Sequence, residues 1–127
     1  RLGVIKGKKI AVLGLAFKPE TDDVRESRSE IVVSELIERG ADVVAHDPEG
    51  MSNFKELVDV KMTPTPELAT EKADCVIIMT EWDIYRKLDL RLLLDRMNGN
   101  ILIDGRRALD AKEAEKVGFD YKTIGLG

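Results

Sequence analysis

Apolar runs alternate with polar breaks along the chain, and their spacing predicts short strands separated by helices. Nearly continuous apolar residues are typical of strands buried on both faces of a parallel sheet. Such strands are predicted over residues 9–17, 41–46, 73–79 and 100–103, with weaker ones near 58–62 and 121–124.

Helix signals fall between these strands. Ser27 and Glu30 have the spacing of a capping box, and apolar residues follow at helical spacing until Gly40. Further helices are predicted near residues 52–57, 65–71, 89–97 and 110–117, the last of which ends at Gly118. The alternation predicts an α/β fold, a three-layer Rossmann-like domain with an open, mostly parallel sheet and helices on both faces.

The length of 127 residues allows one domain, and a hydrophobic content of 43% is enough for a buried core. We expect a single domain over residues 1–127, with 1–8 as a lead-in from missing upstream domains. The 24 acidic residues exceed the 20 basic ones, giving a net charge of -4. Nucleic-acid and membrane partners are therefore not expected, because they would require a basic excess.

Cysteine and histidine offer little chemistry, since the chain has one of each. Cys75 cannot form an intrachain disulfide and lies in a predicted buried strand, which favours a reducing, cytoplasmic setting. Cys75 and His46 do not have the spacing of metal ligands and do not form a nucleophile–base pair. His46 is therefore expected to be a hydrogen-bonded polar residue and not a catalyst. No apolar stretch approaches the length of a membrane span.

Basic residues are concentrated in the loops after the predicted strands, where open α/β sheets bind ligands. Beside the helix that begins at Ser27, these loops could form an anion site from backbone N–H groups and guanidinium donors. The alternative is a solvated lattice of ion pairs with acids of the same loops. The basic residues concerned are Lys18, Arg25, Arg28, Arg106 and Arg107.

The glycine fingerprint of a dinucleotide site is absent after the first strand, where residues 14–19 read GLAFKP. Asp47 stands where such folds place a ribose-binding acid, but without that loop it is expected to cap a turn. NAD is therefore not expected to lie across this domain alone. Asp22, Asp23, Asp47 and Thr80, at successive strand ends, resemble the site of a phospho-acceptor receiver domain, but Arg106 and Arg107 stand where that family has a lysine.

Four strings together carry a family resemblance: GLAFKPETDDVRES over residues 14–27, Asp47-Pro48, Thr80-Glu81-Trp82 and Asp104-Gly105-Arg106. From about Lys8 to its end, the chain resembles the C-terminal, UDP-binding domain of the UDP-glucose/GDP-mannose dehydrogenase family. The resemblance implies an enzyme that oxidises the C6 hydroxyl of a nucleotide sugar twice and reduces two NAD. An N-terminal domain would bind NAD, and a central domain would carry the catalytic cysteine.

The resemblance also assigns roles to residues of this chain. Phe17 and Lys18 match a substrate-contacting pair, Arg106 matches an arginine that reaches the nucleotide sugar, and Arg25 matches an arginine that reaches NAD on the N-terminal domain. Cys75 lies outside the family's cysteine motif, so no catalytic residue is assigned and no metal is expected. The implied partners are a UDP-sugar and the enzyme's own other domains, in a homo-oligomeric full-length enzyme.

Two functions of different classes remain open at this point. The chain could be the UDP-sugar-binding part of a dehydrogenase, or a free-standing, non-catalytic nucleotide-binding module. A glycine fingerprint and a cysteine motif upstream of Arg1 would establish the enzyme. Thr80-Glu81-Trp82 resembles the glucose branch of the family more than the acetamido-mannose branch, although the sugar-selective contacts are expected largely in the central domain.

Overall fold

A computed structural model of the chain describes residues 7–14, 28–47, 60–79, 83–104 and 109–123. Its strands form one six-stranded sheet in the order β3-β2-β1-β4-β5-β6, and every neighbouring pair is parallel. The strands are β1 (Lys9–Leu13), β2 (Asp42–His46), β3 (Lys61–Met62), β4 (Cys75–Ile78), β5 (Ile101–Asp104) and β6 (Asp120–Thr123). The described helices are α1 (Arg28–Glu38), α2 (Pro66–Thr70), α3 (Asp83–Arg86), α4 (Leu90–Arg96) and α5 (Ala111–Val117).

Alternate residues of β1 serve the two faces of the sheet, as the pleat requires. Ile10 and Val12 pack with Val33 of α1 on one face. Ala11 and Leu13 belong to the core on the other face, which includes residues of α2 to α5. This confirms the predicted three-layer, Rossmann-like architecture, and it explains why the strands read as unbroken apolar runs.

The helix termini follow the signals in the sequence. Helix α2 begins after Thr65, whose hydroxyl oxygen accepts a hydrogen bond from the Leu68 N–H at 3.2 Å. Helices α4 and α5 begin after the capping carboxylates of Asp89 and Asp110. Gly40, just past the end of α1, has a φ of +88°. This backbone conformation is costly for a residue that has a side chain. No described helix has the length and apolar character needed to cross a membrane.

The structure departs from the prediction most clearly at the ends of two strands and in one additional helix. Strand β1 ends at Leu13 and not near residue 17, because Gly14 has a φ of +100° and leaves the extended conformation. Strand β5 includes Asp104, which pairs with Ile78 in β4. The single-turn helix α3 was not predicted, since four residues are too few for a helical period to appear. The helix expected near residues 52–57 lies outside the described residues.

Candidate functional site

The carboxyl ends of the six parallel strands share one edge of the sheet, which we call the carboxyl edge. The order of the strands reverses between β1 and β4, and open α/β sheets bind ligands in the crevice beside such a reversal. Residues 15–27 follow β1, residues 80–82 come shortly after β4, and residues 105–108 follow β5. Because neighbouring strands lie about 4.8 Å apart, these three segments start close together.

The residues predicted to bind ligands lie in two of these segments. Phe17, Lys18, Arg25 and Arg106 all fall outside the described residues, so their contacts stay predictions. The structure establishes where their segments start, since β1, β4 and β5 are consecutive neighbours in the sheet. Arg28 begins α1, and its side chain also lies outside the described residues.

His46, the last residue of β2, is only 2% exposed and is fully engaged with its neighbours. Its carbonyl oxygen accepts hydrogen bonds from the Tyr85 hydroxyl at 2.9 Å and from the Gly14 N–H at 2.8 Å. His46 Nδ1 also lies 3.0 Å from the Tyr85 hydroxyl oxygen, so the two side chains are in direct contact. The expectation that His46 is a hydrogen-bonded polar residue is confirmed.

Burial sets the protonation states of this pair. Burial lowers the pKa of His46, although the charges of Asp47 and Glu67 and the Pro64 carbonyl act in the opposite direction. Burial raises the pKa of Tyr85, and the charge of Asp47 adds to that effect. Both side chains are therefore neutral at physiological pH, and the pair acts structurally by joining the ends of β1 and β2 to α3.

Asp47 is completely buried, although it stands where dinucleotide-binding folds place the acid that contacts a ribose. A carboxylate with no exposed surface does not present an acceptor to a cofactor on the carboxyl edge. Since the glycine fingerprint is also missing after β1, the described residues do not fit NAD.

A second polar network lies at the end of β5, and we call it the Asp104 clamp. It consists of Asp104, Leu109 and Tyr121. Asp104 is completely buried, and its Oδ2 accepts hydrogen bonds from the Leu109 N–H and from the Tyr121 hydroxyl, each at 2.8 Å. The same hydroxyl lies 3.3 Å from the Leu109 carbonyl oxygen. The clamp therefore joins the two ends of segment 105–108, which contains Arg106.

Cys75 lies within β4 and is 1% exposed. Burial raises the pKa of its thiol to about 12, so the thiol is protonated at neutral pH and is a poor nucleophile. This supports the prediction that it has no catalytic role. Among the residues that the structure describes, no three His, Cys, Asp or Glu side chains are grouped as a metal site requires.

Sequence reasoning missed two tyrosines that organise the carboxyl edge. Tyr85 lies 39 positions from its partner His46, and nothing in the local pattern predicts that contact. Tyr121 was placed in a strand, but its hydroxyl contact with Asp104 was not foreseen. The aspartate of the Asp104-Gly105-Arg106 string was a usable signal, because an acid that directly follows apolar strand residues needs hydrogen-bond donors.

Most of the chain is similar to known protein sequences. The family model for the UDP-binding domain of the UDP-glucose/GDP-mannose dehydrogenase family matches residues 11–111. A UDP-glucose 6-dehydrogenase from Rhizobium meliloti is 44% identical over 97% of this chain. The alignment covers 28% of that relative, so the chain spans little more than a quarter of its length.

Solved structures give the same picture. A UDP-glucose dehydrogenase from Pyrobaculum islandicum aligns with a TM-score of 0.78 at 38% identity, covering 94% of this chain and 26% of that one. An NDP-N-acetyl-D-galactosaminuronic acid dehydrogenase from Methanosarcina mazei aligns with a TM-score of 0.82 at 28% identity. That alignment covers 96% of this chain and 25% of the other.

Proposed function

The chain belongs to the UDP-glucose/GDP-mannose dehydrogenase family as a UDP-binding domain, and we propose that it binds the nucleotide sugar of a UDP-glucose 6-dehydrogenase. In this proposal the full-length enzyme oxidises UDP-glucose to UDP-glucuronate and reduces two NAD. The observation that carries the proposal is the 44% identity to a UDP-glucose 6-dehydrogenase across almost the whole chain.

The proposed division of labour follows from what the chain holds. The relative is much longer than this chain, Cys75 is buried, and the described residues do not fit NAD. We therefore assign the NAD site and the catalytic cysteine to an N-terminal and a central domain of the full-length enzyme. NAD bound by those domains would accept the hydride, whereas the residues of this chain bind the nucleotide and orient the sugar.

We propose that Phe17, Lys18 and Arg106 contact the nucleotide sugar. Their segments start from β1 and β5, which flank β4 on the carboxyl edge. A diphosphate is a dianion, so a lysine and an arginine approaching from two strands suit it, and arginine can bind it in a bidentate manner. Contacts to the diphosphate are remote from C6, and they hold the sugar in its reactive position.

Arg25 is proposed to reach the NAD held by the N-terminal domain. It lies seven positions beyond Lys18 and just before α1, so it can point toward a domain that faces the carboxyl edge. Arg25→Ala in the full-length enzyme should raise the KM for NAD and leave the Kd for UDP unchanged. Weaker UDP binding with an unchanged KM for NAD would instead place Arg25 beside the nucleotide sugar.

Another UDP-sugar, such as UDP-N-acetylmannosamine, is the second candidate substrate. The observation in its favour is the TM-score of 0.82 with a dehydrogenase of an acetamido sugar, because it shows that the same domain fold serves such enzymes. A free-standing, non-catalytic nucleotide-binding module is a further alternative.

We also propose a homo-oligomeric enzyme in the cytoplasm, and the single free cysteine suits a reducing compartment.

The experiment that separates these candidates follows NADH formation by the purified full-length protein. UDP-glucose and UDP-N-acetylmannosamine are supplied in parallel, and the 127-residue chain alone is the control. We expect turnover with UDP-glucose by the full-length protein and none by the chain alone. Preference for UDP-N-acetylmannosamine would change the substrate, and UDP binding by the full-length protein without turnover on either sugar would favour the non-catalytic module.

A further inference from the structure

The segment between β5 and α5 is held at both of its ends. Asp104, before it, pairs with Ile78 of β4 on one side and with Thr123 of β6 on the other. Asp110, after it, caps α5 by accepting hydrogen bonds from two backbone N–H groups at 2.9 and 3.3 Å. The 2.8 Å bond from Leu109 to Asp104 then joins the two ends directly.

Burying a carboxylate is costly unless donors satisfy it. Asp104 is completely buried and has two donors at 2.8 Å. The hydroxyl of Tyr121 has one proton, and the carboxylate at 2.8 Å is a closer and stronger acceptor than the Leu109 carbonyl at 3.3 Å. Tyr121 therefore holds the carboxylate in the orientation that accepts from Leu109.

We propose that Asp104 and Tyr121 are positioning residues that place Arg106 for contact with the UDP diphosphate. In the chain, Arg106 lies two positions after Asp104 and three before Leu109, and the clamp joins these two flanking residues. Misplacement of a binding group by about 1 Å is enough to weaken its contribution greatly. This inference rests on the proposed function, in which Arg106 binds the nucleotide sugar.

Calorimetric titration of UDP into the full-length protein tests the inference through a double-mutant cycle. Tyr121→Phe removes one hydroxyl and keeps the ring, so the protein should fold. We expect the Kd for UDP to rise about tenfold, near the lower end of what loss of a hydrogen bond to a charged group costs. In the Arg106→Ala background the same substitution should change the Kd by less than about twofold, because Tyr121 acts through Arg106.

Thr70→Val is the matched control. It also removes a buried hydroxyl, which donates to the Glu67 carbonyl oxygen at 3.0 Å, but in helix α2, which leads to the start of β4 and not to the carboxyl edge. Both variants should lower Tm, and only Tyr121→Phe should weaken UDP binding. Asp104→Asn is a second variant that keeps an oxygen acceptor and removes the charge, and its effect on the Kd should likewise disappear in the Arg106→Ala background.

The outcomes separate this inference from the proposed function. If Arg106→Ala weakens UDP binding while Tyr121→Phe and Asp104→Asn do not, the positioning role is refuted and the proposed function stands. A loss of equal size with and without Arg106 also refutes the positioning role, because the clamp then acts only on general stability. If Arg106→Ala leaves the Kd for UDP unchanged, both the positioning role and the proposed contact of Arg106 are wrong.

Discussion

Replacing His46 with asparagine should reduce the loss of stability on mild acidification. Burial lowers the pKa of His46 in the folded chain, whereas in the unfolded chain it returns to about 6.5. Below about pH 6.5 the unfolded state therefore binds a proton that the folded state does not. The contribution of neutral, buried His46 to the free energy of unfolding is therefore complete above about pH 6.5. It is lost as the pH falls toward the pKa of His46 in the folded state.

The magnitude follows from proton linkage. One proton bound only by the unfolded state changes the free energy of unfolding by at most about 1.4 kcal/mol per pH unit. The residue is 2% exposed, so protonation of the ring places a positive charge in a buried environment. Asp47 and Glu67 offset part of that cost, which makes the full slope an upper limit.

Urea unfolding followed by circular dichroism, at about pH 6.5 and one unit lower, measures this slope. Asparagine keeps a polar side chain at this position but does not titrate, so any loss of packing is the same at both pH values. Since the unfolded-state histidine is already half protonated at pH 6.5, we expect the wild-type chain to lose up to about 1 kcal/mol more than His46→Asn on acidification. Equal losses in the two proteins would refute the assignment of a lowered pKa to His46.

Three other substitutions or probes have definite expected results. Lys18→Ala in the full-length enzyme should lower kcat/KM by an amount that corresponds to about 2 to 4 kcal/mol of lost transition-state stabilisation. Arg28→Ala should lower kcat/KM much less, and equal effects of the two substitutions would indicate a lattice of ion pairs. Gly99→Ala should destabilise the chain by about 2 kcal/mol or more, measured by Tm, because the added Cβ would lie 2.3 Å from the Asp74 carbonyl oxygen. Cys75 should react with a thiol reagent only after unfolding, and fast labelling of the native chain would contradict its burial.

Local signals explain why most elements were predictable. The carboxylate of Asp110 and the hydroxyl of Thr65 accept backbone N–H bonds within the next few residues, so their roles as caps depend on sequence spacing alone. Strand β4 reads as apolar because both of its faces are covered. The end of β1 was harder to predict, because the apolar run continues past Gly14 while the pairing partners end at His46 and Ile78.

The candidate site shows the same division. Four strings together predicted the family. Two of them, at residues 14–27 and 104–106, contain the residues predicted to bind ligands, and both strings lie at or directly after strand ends in the chain. The order of the strands, which makes β1, β4 and β5 neighbours, depends on how the crossovers pack and does not appear in any local pattern.

By itself, the sequence determined the α/β class, the caps of the helices and the family, because each depends on periodicity or on residues close together in the chain. Tertiary structure alone decided the contacts that organise the carboxyl edge. His46 meets Tyr85 across 39 positions, and Asp104 meets Tyr121 across 17. Each contact forms because burial deprives a polar group of water and so requires a partner, and only the folded sheet decides which partner lies within reach.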